Sequence, residues 1–385
     1  MKKNLLGLTL ALIMLAALAD QTQAIPAFAR RYNISCSTCH APIPKLKPYG
    51  AEFAGDGFIM KENEKERDYV TAGDPLLWLN KTIPIAVRFD AYAVSYATEA
   101  KTDLQSPWGL KLLSGGALYK NIGYYFYFFM SERGEVAGIE DAYVHFNNIG
   151  GSEFDIMVGQ FQTSDPLMKR ELRLTFEDYQ LYKYKAGLSN IDLTYDRGVM
   201  FLYGISKTGT DLIMSVTNGN GKGPADSDTK KFDTDNYKNI GFRVAQGIGE
   251  NVTIGGFYYT GKERLASTDN TVRYVGPDFN LVLGKLELTA QYLERTDSNP
   301  FMLEQQKELK TKAAVVEAIF APQLDRSRFY FSALYNDITQ EKKLYQTFTL
   351  AGTYLLSRNL RGSLELTRDL IKDQNRIVLG IVTGF

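Results

Sequence analysis

The sequence predicts an all-β fold, a transmembrane antiparallel outer-membrane β-barrel of about sixteen strands that closes on itself. Three observations carry this expectation. The chain opens with an export signal, alternates apolar and polar residues from about residue 81 to its end, and sorts the connections between alternating runs by length.

The export signal comes first in the chain. Lys2 and Lys3 precede an apolar run over residues 5–18, and small residues follow at Ala16, Ala17, Ala19 and Ala24, the layout of a secretory signal peptide over residues 1–24. Cleavage after Ala19 and cleavage after Ala24 both satisfy the small-residue requirement. The run is too short for a retained membrane anchor and gives way at once to Asp20 and Gln21. No cysteine stands at either cut, which argues against a lipoprotein. Beyond residue 24 no stretch approaches the roughly 18 consecutive apolar residues of a spanning helix, so any crossing must use strands.

The strand signal fills residues 81–385. In KLELTAQYLER, Leu286, Leu288, Ala290 and Tyr292 fall on one face, while Lys285, Glu287, Thr289 and Gln291 fall on the other. The last run puts Ile377, Leu379, Ile381 and Phe385 on one side, with Val378, Gly380, Val382 and Gly384 on the opposite one. Connections at 97–106, 162–189, 219–235 and 296–310 read as long; those at 119–122, 247–251, 284–285 and 357–359 read as short. A soluble sandwich has no reason to alternate in this way, whereas an outer-membrane barrel has short periplasmic turns and long external loops. Closure follows because hydrocarbon leaves no partner for the unpaired N–H and C=O groups of an open edge. About 305 residues over sixteen strands leave roughly 19 for each strand and its connection, which suits strands of ~10 residues. The terminal Phe385 resembles the carboxyl-terminal signature of bacterial outer-membrane barrels.

Charge narrows the function classes. Lys plus Arg equals Asp plus Glu at 44 each, so there is no basic field for nucleic acid. KENEKERD at 61–68 reads as a solvated connector, and GNGKGPADSD at 219–228 as a flexible external loop. The pieces VGQFQTSDPL (158–167), YDRGVMFLYG (195–204) and SVTNGNG (215–221) resemble stretches of the phosphate-selective porin O and P superfamily, sixteen-stranded barrels that often form trimers. The resemblance implies a porin-like architecture, a homotrimer and a third loop at 162–189 folded inward. It does not imply phosphate selectivity.

The chemistry concentrates at CSTCH, which holds both cysteines of the chain and one of its two histidines. Cys36, Cys39 and His40 form CxxCH, the spacing for covalent attachment of one haem c. Two thiols three residues apart reach the two vinyl groups of one porphyrin, and His40 follows as proximal iron ligand. Attachment takes place after export, in the compartment that the leader indicates. A thioredoxin-like redox pair or disulfide is the alternative, but the prolines at 42, 44 and 48 interrupt the helix which that motif normally opens. A structural zinc site lacks nearby thiols and histidines to complete four ligands. The segment IPAFARRYNISCSTCHAPIPKLKPYGAEFAGDGF (25–58) resembles the N-terminal part of outer-membrane monohaem cytochromes fused to porin-like barrels. That resemblance implies electron transfer across the cell surface, with iron oxidation among its relatives.

The implied organisation is a haem-binding segment and connector at 25–80, followed by the barrel at 81–385. A segment this small cannot bury a macrocycle alone. It must lean on the barrel mouth or lumen, with Phe28, Tyr32, Leu46, Tyr49, Phe53 and Phe58 available to fill the seam. The expected distal ligand is His145 or Met60, with an open or water-bound iron as the remaining alternative. In GIEDAYVHFNN, His145 shares a face with Asp141 and Tyr143 and is expected to point into the lumen near the periplasmic mouth. Lys45, Lys47, Arg30 and Arg31 are candidates to neutralise the haem propionates.

Two functions are consistent with these readings. One is an electron carrier between the periplasm and an extracellular donor or acceptor such as iron, with cytochromes or metal ions as redox partners and outer-membrane lipid around it. The other is a porin for small solutes, in which a haem or disulfide plug anchors or gates. No nucleophile–base pair or pair of carboxylates points to a substrate-converting enzyme.

Overall fold

The computed structural model describes residues 27–60, 69–97, 101–164, 168–233, 235–265, 267–305 and 307–385. The leader at 1–24 and the KENEKERD run lie outside the described residues. The N-terminal segment holds three short helices, α1 (Ala27–Tyr32), α2 (Cys36–Cys39) and α3 (Pro48–Gly55), and a two-stranded ribbon of β1 (Tyr69–Val70) and β2 (Leu79–Asn80). The first half of the barrel comprises β3 (Ile85–Tyr96), β4 (Lys101–Tyr119), β5 (Ile122–Glu132), β6 (Gly138–Phe146), β7 (Phe154–Gln162), β8 (Tyr195–Ile205), β9 (Thr210–Thr217) and β10 (Asn239–Ile248). The second half comprises β11 (Val252–Leu265), β12 (Thr268–Leu283), β13 (Leu286–Asp297), β14 (Leu309–Phe320), β15 (Phe329–Gln340), β16 (Lys342–Ser357), β17 (Leu360–Asp369) and β18 (Gln374–Gly384). A fourth helix, α4 (Gln180–Lys183), lies between β7 and β8.

Each barrel strand pairs antiparallel with its chain neighbours, and β18 returns to pair with β3, Gly380 opposite Tyr92, so the sheet has no free edge. The fold is therefore a closed sixteen-stranded antiparallel barrel. The even strand number places the start of β3 and the end of β18 at one rim, here named the terminal rim.

Alternation sorts side chains between the two faces. On β18, Leu379 and Ile381 are exposed on the outer surface while Val378 and Val382 are buried within. On β13, Leu286 and Tyr292 face outward, and Thr289 and Gln291 are buried in the lumen. Phe331, Leu350 and Leu364 extend the outer apolar belt. No described helix is long and apolar enough to cross a membrane; strands make this belt.

The loop expectations need correction in two places. The stretch 97–106 is not a long loop, because residues 101–106 already belong to β4, with Lys101 opposite Tyr96 and Gln105 opposite Tyr92. The sorting by length is also partial. β11 ends at Leu265 and β12 begins at Thr268, while β15 and β16 flank Glu341 alone. The terminal-rim connections at 147–153 and 321–328 are longer than expected. The cause is physical: a hydrogen-bonded ladder continues into solvent beyond the apolar belt, where alternation no longer marks it.

The connection at 163–194 turns inward. Tyr179, Leu181 and Tyr182 are buried against lumen-facing Tyr259, Val315 and Leu334, so the main apolar core lies inside the barrel. Tyr179 Oη donates to Glu317 Oε1 at 2.9 Å, and Arg295 Nη1 donates to the carbonyl of Ile191 at 2.8 Å. The GNGKGPADSD stretch lies in the connection between β9 and β10, where Arg197 donates to the carbonyl of Gly223 at 2.9 Å.

Candidate functional site

The N-terminal segment enters the lumen from the terminal rim and docks on two sides. On one side Phe58 stacks on Tyr125 of β5 with ring centroids 4.7 Å apart, and Phe28 stacks on Phe58 at 5.0 Å. Phe53 meets Phe28 edge-on at 5.2 Å, and Tyr32 meets Phe53 at 5.8 Å. Here the backbones nearly touch: a Cβ on Gly123 would lie 2.1 Å from the Gly57 carbonyl oxygen. On the other side Lys45 reaches Glu287 at 3.0 Å and Glu317 at 3.5 Å, Lys47 pairs with Asp325, and Arg361 donates to the Ile43 carbonyl at 3.0 Å. Tyr49 departs from the expected seam and is exposed.

Glu317 thus joins the N-terminal segment to the inward loop, one oxygen taking Lys45 and the other Tyr179. Burial opposes the charge on Lys45, yet Glu317 and Glu287 outweigh it and raise its pKa. The two insertions enclose a cavity of about 550 Å³, within the ~300–1,000 Å³ of ligand and cofactor sites. Its wall includes Cys36, Cys39, His40 and His145, with Tyr125 and Met157 among its apolar residues.

Local sequence explains how the thiols and the imidazole are presented. Ser35 caps α2, its hydroxyl accepting from the Ser37 N–H at 3.3 Å, and the helix lasts one turn before His40 goes extended. A tight turn through the prolines returns the chain, with Ala41 N–H donating to the Lys45 carbonyl and Lys47 N–H to the Cys39 carbonyl. Pro48 then opens α3 at its first turn, where a missing N–H costs nothing. α3 packs onto α2 so closely that a Cβ on Gly50 would lie 2.3 Å from the Cys39 carbonyl oxygen.

Both thiols are free. Burial pushes their pKa values up, and Cys39 is raised further by Cys36. His40 Nδ1 lies 2.7 Å from the Pro44 carbonyl oxygen and donates to it, which leaves Nε2 free to bind a metal. Burial lowers its pKa, outweighing the hydrogen bonds to Pro44 and Lys45, so the imidazole is neutral.

His145 projects inward from β6 and is fully buried. Neither of its ring nitrogens has a hydrogen-bond partner; the carboxylate of Asp155 is 3.6 Å away. Across the ladder it is followed by Met157 on β7 and Met200 on β8, all three facing the cavity. Met60 does not line the cavity. The sequence reading missed Met157 and Met200, although both occupy inward-alternating positions of their strands.

The donor set fits a covalently held haem. Two unpaired thiols and a neutral imidazole stand on one wall, and an orphaned imidazole with two thioethers stands in the barrel wall of the same chamber. Among the described residues no cluster of three or more His, Cys, Asp and Glu side chains is arranged for a bare metal ion. From the inward loop, Glu171 also lines the chamber, its carboxyl pushed well up from the ordinary range by burial and by Asp141 and Glu140.

No family model matches the chain, and no curated protein matches it by sequence. Solved structures do. An anion-selective porin from Comamonas acidovorans is 12% identical with a TM-score of 0.57, covering 78% of this chain and 98% of its own. The outer membrane channel DcaP of Acinetobacter baumannii is 13% identical at 0.56, over 79% and 97%. OmpF of Salmonella typhi, in complex with daunomycin, is 11% identical at 0.55, over 78% and 97%. At such identities the likeness is one of fold: the barrel is of the outer-membrane porin type.

Proposed function

We propose that this protein is an outer-membrane electron carrier holding one covalent haem c inside its barrel. Cys36 and Cys39 supply the thioether links, His40 the proximal ligand and His145 the distal one. The observation that carries this reading is the fully buried His145, whose ring nitrogens make no hydrogen bond and whose nearest carboxylate, Asp155, is 3.6 Å away, in the same chamber as CxxCH. A buried polar group left without a partner costs ~1–3 kcal/mol, and an iron centre would remove that cost. When bound, the haem supplies a reversible one-electron couple, with two imidazoles giving a lower potential than a Met/His pair. The chain's own part is to fix the His40 tautomer through Pro44, to hold His145 in the wall of the same chamber, and to exclude water with Phe28, Phe58 and Tyr125. Electrons pass between a periplasmic carrier and an extracellular donor or acceptor such as iron.

The porin-type fold favours a second reading, a channel for small solutes with the N-terminal segment as plug. One of the similar structures, OmpT of Vibrio cholerae, is described in a trimer form, and a homotrimer is proposed here on that likeness. A pyridine haemochrome assay on outer-membrane fractions, with intact mass of the purified chain, tests the first reading. Expression requires a host competent for cytochrome maturation. A chain without added mass, active in liposome swelling, leaves only the channel.

A further inference from the structure

The chamber wall has a cationic side. On β17, Arg361 is 5% exposed; its Nη1 donates to the Ile43 carbonyl, while its Nε is buried without a partner. Register places it beside Val382 of β18, which is itself beside Asp90 of β3. Two residues along β3, Arg88 sits opposite Lys111 of β4. Arg88 and Lys111 reach Asp90 at 2.8 and 2.9 Å, whereas no carboxylate pairs with Arg361 among the described residues. Three cations therefore face one carboxylate.

Most other charges near the chamber pair among themselves. Lys169 meets Asp141 at 3.3 Å, and Lys45 sits between Glu287 and Glu317, which leaves that side one negative charge in excess. Glu171 lends its backbone carbonyl to Arg88, and burial with its acidic neighbours pushes the pKa of its carboxyl up. Arg358, at the rim, donates to the Asp325 carbonyl at 3.1 Å and also hydrogen-bonds Tyr330. Uncompensated charge held this deep is costly without a counterion. Arg88 and Arg361 both line the cavity, and Arg361, with no carboxylate partner among the described residues, offers a place for an anionic group at the edge of an apolar body.

We propose that Arg361, with Arg88 beside it, forms an anion subsite that receives the two propionate carboxylates of the haem. The inference rests on the haem reading above. Of the four candidates from the sequence, Lys45, Lys47, Arg30 and Arg31, the two lysines are already paired with carboxylates. Tyr125, Tyr143 and Met157 would then supply apolar wall for the macrocycle. Arginine suits the task because its planar fork meets carboxylates in a bidentate manner.

The test uses full-length protein matured with haem. Arg361→Gln, Arg361→Lys and Arg328→Gln are compared by intact mass, heat-modifiable migration and spectroelectrochemical titration. Arg328 lies on the terminal rim away from the chamber, its guanidinium over Tyr354. Removing a positive charge beside the propionates favours the ferric form. Arg361→Gln is expected to keep its covalent haem and to lose about tenfold in the reduction equilibrium, a shift of ~59 mV downward for one electron. Arg361→Lys recovers most of that shift, and Arg328→Gln shows none.

An unchanged potential in a folded, haem-loaded Arg361→Gln overturns the subsite and leaves the haem reading standing. Absence of haem mass from the unmodified protein overturns the haem reading itself, and the subsite with it. A measurement on the unmodified protein covers the case in which the variant does not fold. Isotope-labelled arginine should shift guanidinium bands in the reduced-minus-oxidised infrared difference spectrum; no such bands also overturns the subsite.

Discussion

Replacing His145 with leucine should stabilise the protein without haem and weaken it with haem. In the haem-free state both ring nitrogens are buried and unsatisfied. Each orphaned polar group costs ~1–3 kcal/mol, so the pair costs at least ~2 kcal/mol. Leucine removes that cost and packs against Tyr143 and Met157, with a shape penalty of up to ~1.5 kcal/mol. The net gain is on the order of 0.5–6 kcal/mol. The assay is reversible urea unfolding in detergent or lipid, followed by fluorescence. It compares the Cys36→Ala/Cys39→Ala protein with and without His145→Leu. At a slope on the order of 3 kcal/mol/M, the midpoint should rise by roughly 0.2–2 M. If His145 ligates the haem iron as proposed, the same substitution in the haem-loaded protein should lower the midpoint and change the visible spectrum from low-spin to high-spin. A fall in the haem-free background would refute the reasoning, because it would mean that the imidazole already has a partner there.

Three further outcomes are expected. Gly123→Ala puts a methyl 2.1 Å from the Gly57 carbonyl oxygen, where backbone meets backbone, and should cost ~1–3 kcal/mol of segment docking. Limited proteolysis should then cut the N-terminal segment faster while the barrel stays resistant. Lys45→Met leaves Glu317 (2% exposed) without its cation and should also speed cleavage, as breaking a buried pair costs ~3–5 kcal/mol and partial exposure of Lys45 reduces this. The folded-state pKa of Lys45 is raised, so its contribution is fully present below the unfolded lysine value and is lost as pH rises through the folded one. Proteolysis of the unmodified protein should therefore show docking that does not change with pH around neutrality and weakens only in alkali. Cys36→Ser/Cys39→Ser should abolish the covalent haem, read as loss of haem mass and of the haemochrome band.

Much of the barrel was legible in the chain because its two solvents impose a period of two on every strand. Leu379 and Ile381 against Val378 and Val382 can be read by that rule alone, and closure follows from the lack of backbone partners in hydrocarbon. Strand ends such as 101–106 were not legible, since both faces meet water there and alternation vanishes while pairing persists. CxxCH was equally plain, as its spacing is local.

The composition of the chamber was not local. His145 could be assigned to the lumen face by alternation, but Met157 and Met200 join it only through the register of β6, β7 and β8. Lys45 and Lys47 looked available because Glu287, Glu317 and Asp325 lie far along the chain and meet them only after the barrel closes. Arg361 became notable for the converse reason, having no carboxylate after closure. The sequence by itself determined which faces are oily and where thiols and imidazole stand together, because both depend on neighbours a few residues apart. Only tertiary structure decided which charges find partners and which remain exposed to the chamber, because pairing energy depends on distances set by strand register.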